Sequence, residues 1–327
     1  MSNNLSKSFF YEVDSKTTEE FDSRYAKGYM TSPRVVERKR ISEVLKKIPG
    51  LPETGVALDF GCGKGDFTIL LHEMLPNWQI VGLDISAVAI KKAKESHPWL
   101  EFYSFQEFQK GELKFDLIFS HHVLEYVPEI DYVLSTFEAL SKENSVMLHV
   151  IPCGNHAGIE YKIASMVNGI NPSNGLYFYE HSAHVRRYSE TEFISTVEKA
   201  SFKHRDSWFV DHYFGALEWI TRSNVNFIKS ITPLKPDTAG WVIFRLALIR
   251  LLLYLLLVFR YPYFNYDRAK RKWNWNAARK FFFIGIICAY VPSLVFNWIF
   301  LFIVDVEWGL RKKSAGGGKM YLLFTRR

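Results

Sequence analysis

Hydrophobic and polar positions change their spacing twice along the chain. Residues 1–32 are polar and aromatic with no firm period. Pro33–Ile48 carries apolar residues at helical spacing and predicts an amphipathic helix. After a loop at Gly50–Gly55, short apolar runs alternate with helical patterns. Strands are expected at Val56–Phe60, Gln79–Ile85, Phe102–Phe105, Phe115–Ser120 and Val146–Pro152. Helices are expected at Asp66–Leu75, Ala87–Ser96 and Ile130–Ser141. Such alternation builds βαβ units, hence an α/β fold whose mainly parallel sheet is covered on both faces. Ser189-Glu190-Thr191-Glu192 is a capping box opening a helix over 190–200, and Phe202–Tyr213 reads as a strand.

The second change comes after residue 214. Trp241–Arg260 and Phe281–Val304 are long apolar segments, and Phe281–Val304 runs 24 residues without a charge. About 20 apolar residues suffice to cross a bilayer. Trp241–Phe259 carries Arg245 and Arg250, each costing about 2.5–3.5 kcal/mol at a bilayer centre. Both can snorkel from a helix lying in the interface. Pro292 interrupts the longer segment. A glycine turn at Gly316–Gly318 and a short apolar strand, Lys319–Thr325, close the chain.

Charge follows the same division. Gly240–Arg327 holds 15 Lys and Arg against 3 Asp and Glu, whereas the first 239 residues hold 26 against 31. A basic, apolar end suits an anionic membrane surface better than nucleic acid. The N-terminus lacks the apolar run of a signal peptide, so the leading domain is expected in the cytosol. Cys62, Cys153 and Cys288 are far apart and suggest neither a disulfide framework nor a zinc knuckle.

The chemistry-bearing motif is Val56-Ala-Leu-Asp-Phe-Gly-Cys-Gly-Lys-Gly65, a buried strand running into Gly61-x-Gly63-x-Gly65 with a helix after it. Glycines are needed where the backbone turns sharply and a ligand approaches closely. Asp66 stands where a dinucleotide fingerprint would need glycine, so that fingerprint fails. At the end of the second strand, Asp84 is placed to accept hydrogen bonds from ribose hydroxyls, and Ser86 to cap the next helix.

Together LDFGCGKG, LDIS with Ala89 and Ala93, Phe115–Pro128 (FDLIFSHHVLEYVP) and His184–Ser189 (HVRRYS) resemble the class I, Rossmann-like methyltransferases that use S-adenosylmethionine. The resemblance covers roughly residues 20–214 and the final strand. It implies a mainly parallel seven-stranded sheet, with S-adenosylmethionine as cofactor. Asp59 and the Gly61, Cys62, Gly63, Gly65 loop would hold its methionine part, and Asp84 its ribose. Ile85 and Phe105 to Gln106 would flank the adenine, with Ser120 and His121 near the sulfonium end. The family often places an acidic residue after the third strand; here Gln106 stands there, with Glu107 beside it.

An oxygen or nitrogen acceptor must also lose a proton, which a positioned histidine takes. His184 is the first candidate, on the side of the sheet where ligands enter; His121, His122 and His181 follow, with Glu125 behind them. No cluster has metal-ligand spacing, so a metal-independent enzyme is expected. The absence of a DPPY or NPPY tetrapeptide argues against methylation of nucleic-acid bases, and no nucleic-acid partner is expected.

Four segments follow: 1–50 as cap and first helix, 51–214 as the cofactor-binding core, 215–315 as an apolar, basic helical insertion, and 316–327 as the last core strand. A two-span hairpin would expose Tyr261–Lys280, with six Lys and Arg and one Asp, against the positive-inside rule. A monotopic arrangement on the cytoplasmic leaflet is therefore favoured, anchored by Trp273, Trp275, Lys272, Arg279 and Lys280, with the hairpin second. The leading expectation is transfer of a methyl group to a lipid or lipid-linked acceptor. The alternatives are a soluble small molecule or glycan, with the insertion as anchor or oligomer interface, and a catalytically silent membrane scaffold.

Overall fold

The computed structural model describes residues 15–28, 33–108, 113–234, 239–271 and 277–327. The chain forms two compact units. One contains Met1–Pro152, Thr191–Ser207 and Tyr321–Arg327, and the other Cys153–Glu190 and Trp208–Met320.

The first unit opens with two helices, α1 (Ser15–Ala26) and α2 (Val35–Leu45). Strands and helices then alternate as β1 (Val56–Phe60), α3 (Asp66–Met74), β2 (Gln79–Asp84), α4 (Ala87–Ser96), β3 (Glu101–Ser104), β4 (Phe115–His121), α5 (Ile130–Leu140) and β5 (Ser141–Pro152). α6 (Ile159–Met166), part of the second unit, comes next in the chain, then α7 (Glu190–Glu198), β6 (Phe202–Val210) and, last, β7 (Lys319–Arg326). The seven strands lie in the order β3-β2-β1-β4-β5-β7-β6. β1 pairs in parallel with both β2 and β4, β2 with β3, and β4 with β5. The sequence on either side of β1 leaves in opposite directions, first to β2 and later to β4. That makes a topological switch point, where parallel sheets open a crevice at the carboxyl ends of their strands.

The central strands are apolar on both faces, as a doubly covered sheet requires: Ala57, Leu58, Val81, Leu83, Leu117, Ile118 and Phe119 are all fully buried. β5 begins five residues before the apolar run that predicts it. Lys142-Glu143-Asn144 is polar, Asn144 has a φ of 60°, and the β4–β5 register shifts between Phe115 and Leu117. A bulge of this kind leaves no period-two signal.

In the second unit α6 precedes an irregular stretch, and α8 (Phe214–Arg222), α9 (Val225–Ile231), α10 (Gly240–Arg271) and α11 (Ala277–Arg311) complete it. α10 and α11 have 32 and 35 residues, about 48 and 52 Å at 1.5 Å per residue. α11 continues through Pro292 and α10 through Pro262. Pro292 therefore does not end the helix as its sequence position suggests. Two stretches, Gly240–Tyr266 and Ile284–Arg311, are long and apolar enough to cross a membrane, and most of each is not buried by protein. Lys272, Trp273 and Trp275 lie outside the described residues, as do the side chains of Arg279 and Lys280.

Candidate active site

The crevice is built from the carboxyl ends of β1, β2 and β4. After Phe60 the backbone turns so tightly that the amides of Gly61 and Cys62 both donate to the Leu83 carbonyl, at 2.7 and 3.1 Å. Gly61 has a φ of +75°, and a Cβ there would stand 2.3 Å from Val123 Cγ2. At Gly63, φ is +56° and a Cβ would meet the Tyr25 hydroxyl at 2.6 Å. Neither position accepts a side chain, so the loop presents bare backbone.

Two buried carboxylates brace this loop. Asp84 Oδ2 accepts from the Gly63 amide and Oδ1 from the Ser86 amide, each at 2.8 Å. The Ile85 amide also bonds this carboxylate, which leaves it acceptor capacity for a further donor. Burial pushes the Asp84 carboxyl up to about 6, against the lowering effect of the Ser86 and Gly63 amides. Asp59 is 1% exposed and accepts from the Thr68 hydroxyl at 2.6 Å. Burial is the main cause that raises it to about 7; the Thr68 bond opposes this, and the Asp84 charge adds to it. Both groups thus sit in an environment that favours hydrogen-bond donors around them.

A cavity of about 340 Å³ opens beside the loop. Its wall is mainly apolar and aromatic, including Phe60, Ile85, Phe105, Tyr126, Tyr132 and Val133. α1 contributes Thr17, Phe21 and Tyr25. That helix is tied down through Asp22, whose Oδ1 accepts from Ser86 Oγ at 2.5 Å and from the Val88 amide at 3.2 Å. Lys92 Nζ donates to the Tyr25 carbonyl at 2.5 Å. His121 and His122 supply polar atoms to the wall. His121 Nε2 lies 3.2 Å from Glu37 Oε1, and His122 Nδ1 lies 2.8 Å from Glu125 Oε1.

Of the residues singled out from sequence, Gly61, Cys62, Asp84, Ile85, Phe105, His121 and His122 line this cavity. Asp59, Gly63 and Gly65 brace its loop. Gln106 is exposed, and Ser120 is turned to His149, with its Oγ 2.8 Å from Nδ1 in the core. His184 belongs to the second unit. Its Nδ1 is 2.8 Å from Glu180 Oε2, beside the buried Arg187, which pairs with Glu180 at 2.7 Å and Glu160 at 3.6 Å. His181 is also in that unit. The α1 residues and the Glu37 partner were not visible in sequence, and Glu125 was read there as a proton acceptor, not as the partner of His122. Glu37 sits on an ordinary amphipathic helix, and only the i, i+3 spacing of His122 and Glu125 hinted at their pairing.

The strand order, the glycine loop and the acid at the end of β2 together define a Rossmann-like, class I methyltransferase fold. Residues 53–204 match the family described as "Methyltransferase domain". The chain is 32% identical over 101 residues to trans-aconitate 2-methyltransferase of Azoarcus sp. (strain BH72), covering 28% of this chain and 37% of that one. It is 29% identical over 119 residues to the enzyme of the same name from Variovorax paradoxus (strain S110), covering 36% and 46%. The chain thus spans less than half the length of these curated relatives. Magnesium protoporphyrin IX methyltransferase from Synechocystis PCC 6803, solved with bound S-adenosylhomocysteine, covers 60% of this chain and 92% of its own at 14% identity and a TM-score of 0.44. The matched segment, somewhat under half of the chain, is similar to methyltransferase domains that use S-adenosylmethionine. The cradle fits that group: a bare glycine turn that a Cβ would fill, a carboxylate at Asp84 with remaining acceptor capacity, and aromatic rings at Phe60 and Phe105, 5.5 Å apart.

Proposed function

We propose that this protein transfers a methyl group from S-adenosylmethionine to an oxygen, or to a nitrogen or carbon, of an amphipathic lipid or lipid-linked acceptor at the cytoplasmic surface of a membrane. Bound in the cradle, S-adenosylmethionine supplies a methyl group already activated on a sulfonium. The chain's part is alignment and exclusion of water. Asp84 accepts hydrogen bonds from the ribose hydroxyls, the Gly61–Gly65 loop permits close approach, and α1 with its aromatic side chains closes the cavity. The acceptor's proton leaves at the polar wall formed by His121 and His122. His184, held by Glu180 in the second unit, has a weaker claim to that task.

The observation that carries the membrane part is the distribution of polarity around α10 and α11. Large apolar side chains stand out to solvent, among them Trp298 at 72% exposure, Val258 at 67% and Phe302 at 62%. A patch of that extent marks an interaction surface. On the other side, Arg260 is 1% exposed and bound to Glu218 and Thr221 of α8, and Arg250 is bound to Thr232 beyond α9. α9 also keeps Asn224, Asn226, Lys229 and Ser230 exposed. A helix pair with one apolar outer face and polar neighbours on the other suits embedding from one side, the monotopic arrangement, better than a two-span hairpin.

A second reading takes its support from the names of the relatives, which act on trans-aconitate, a small soluble acid. In that reading the helix pair is only an anchor. Incubating the full chain with methyl-labelled S-adenosylmethionine and a host extract, then separating organic from aqueous phases, tests both. Label in the organic phase that disappears in Asp84→Ala is the expected result. Label confined to the aqueous phase overturns the lipid acceptor and favours the second reading. Transfer into neither phase by protein that binds the cofactor counts against both acceptor classes.

A further inference from the structure

Glu37 and His121 are far apart in sequence, and no metal-ligand spacing connects them. Folding brings the Glu37 carboxylate, on α2, to the two imidazoles at the end of β4. One donor atom from each of Glu37, His121 and His122 lies within 4.8 Å of the others. The side chains of Glu37 and His121 are 10% and 5% exposed, and the His121 ring is packed 4.2 Å from that of Phe67.

His122 shows a second, independent sign. Its Nδ1 meets Glu125 Oε1 at 2.8 Å. A carboxylate has no proton to give, so Nδ1 is the donor in this contact and Nε2 is the ring nitrogen left to meet a ligand. Glu125 is 1% exposed, and its Oε2 accepts no hydrogen bond among the described residues. An imidazole fixed from behind by a buried carboxylate is the arrangement by which proteins orient metal-binding histidines. The backbone is also held in an unfavourable region here, with His122 at a φ of 54°. Strain of this kind collects where a side chain must be presented in one direction.

We propose that Glu37, His121 and His122 bind a divalent first-row transition ion at the polar wall of the cavity, with Glu125 as the positioning residue behind His122. Two imidazoles and one carboxylate suit zinc, iron or manganese and leave coordination positions open toward the cavity. Arg34 Nη2, 3.9 Å from Glu37 Oε1, is one rival partner for that carboxylate. An ion in this place would polarise an acceptor oxygen entering the cavity and ease loss of its proton, the two imidazoles then serving as ligands and not as proton acceptors. That role rests on the methyltransferase reading above; the binding itself does not.

Cobalt(II) serves as the probe, titrated into the full chain in detergent micelles after chelator treatment and removal of any affinity tag. One equivalent with visible d–d bands, displaced by zinc, is expected. His122→Ala is expected to abolish the bands and Glu125→Gln to weaken affinity about 10–100-fold, as loss of a supporting carboxylate does. Circular dichroism and melting confirm that each variant is folded. Glu37→Gln provides a second ligand deletion if His122→Ala fails that check. The absence of stoichiometric bands in the wild-type chain, or bands unchanged in the folded ligand variants, overturns the proposal. Bands lost in the variants support the site even if methyl transfer proves indifferent to the ion, a result that would remove only its part in the reaction.

Discussion

Two buried carboxylates of the first unit and three of the second are met by different partners. In the first, Asp59 and Asp84 are met by a hydroxyl and by backbone amides, and both are raised to values near neutrality. In the second, Glu218, Glu160 and Glu180 each face a buried arginine. For Glu180, burial pushes upward but is outweighed by the His184 contact and the Arg187 charge, leaving the group at about 2. A carboxylate with spare lone pairs and an elevated affinity for protons is a binding group kept ready for a ligand. One saturated by a guanidinium is part of the structure.

The largest expected effect tests the structural half of that contrast. Arg260 donates from Nε to Asn297 Oδ1 at 2.8 Å, from Nη1 to the Glu218 carbonyl at 2.8 Å and to the Thr221 hydroxyl, and from Nη2 to Glu218 Oε1 at 2.9 Å. Arg260→Met removes the arginine paired with buried Glu218, and breaking a buried pair costs about 3–5 kcal/mol. Denaturant unfolding of the full chain in detergent measures it. Adding Glu218→Leu should recover most of the loss. A small effect of Arg260→Met alone would mean that water reaches the pair and that the second unit is not sealed as described.

Next in size is the binding half. Gly61→Ala forces a side chain into a left-handed conformation, about 1–2 kcal/mol by itself, and sets its Cβ against Val123. We expect S-adenosylmethionine affinity, measured by calorimetry, to fall about 100-fold or more, equivalent to about 2.7 kcal/mol. Retained affinity would mean that the turn does not need bare backbone.

These two sites also differ in how far the sequence announced them. The glycine turn, Asp84 and all seven strands were legible, because a buried parallel sheet writes continuous apolar runs and a tight turn demands glycine. Phe281–Val304 was legible as an apolar stretch, but its continuation through Pro292 was not. A proline inside a helix is tolerated where neighbours take up the freed carbonyls, and sequence gives no sight of neighbours. Arg260 read as a charge ending an apolar segment. Only the fold shows it at the centre of a network reaching Glu218 and Asn297. The cavity wall from α1 and the approach of Glu37 to His121 depend on helix docking, which leaves no local pattern.

A smaller effect follows from the opposite pKa directions. Asp84 is raised from 3.8 to about 6 and Asp59 to about 7, so the folded chain holds more protons than the unfolded chain between those values and 3.8. Their contribution to stability therefore falls as pH rises from about 4 to about 7. Glu180 has the reverse sign: its contribution is present above 4.5 and is lost as pH falls toward 2. A ligand whose hydroxyls need ionised Asp84 should bind about tenfold more weakly at pH 5 than at pH 7. Calorimetric titration of S-adenosylmethionine across that range checks it, and Asp84→Asn should bind weakly with no such slope. A wild-type affinity flat from pH 5 to 7 would show that Asp84 is not the group the ligand reads.

The smallest effect compares two helix caps, one per unit. Asn224 Oδ1 accepts from the Phe227 amide at 2.9 Å at the exposed start of α9. Ser86 Oγ accepts from the Ala89 amide at 3.1 Å at the start of α4, and it also donates to Asp22 on α1. Replacing either by alanine costs about 1 kcal/mol in capping. The consequences should then part. Asn224→Ala loses only that stability, because among the described residues its side chain bonds only the Phe227 amide. Ser86→Ala also frees one of the contacts that hold α1 against the cavity, so cofactor affinity should fall several-fold as well. The readouts are thermal unfolding and S-adenosylmethionine binding on both variants. Equal cofactor affinity in the two would show that α1 stays closed without Ser86, and that the Val88 and Lys92 contacts are sufficient to hold it.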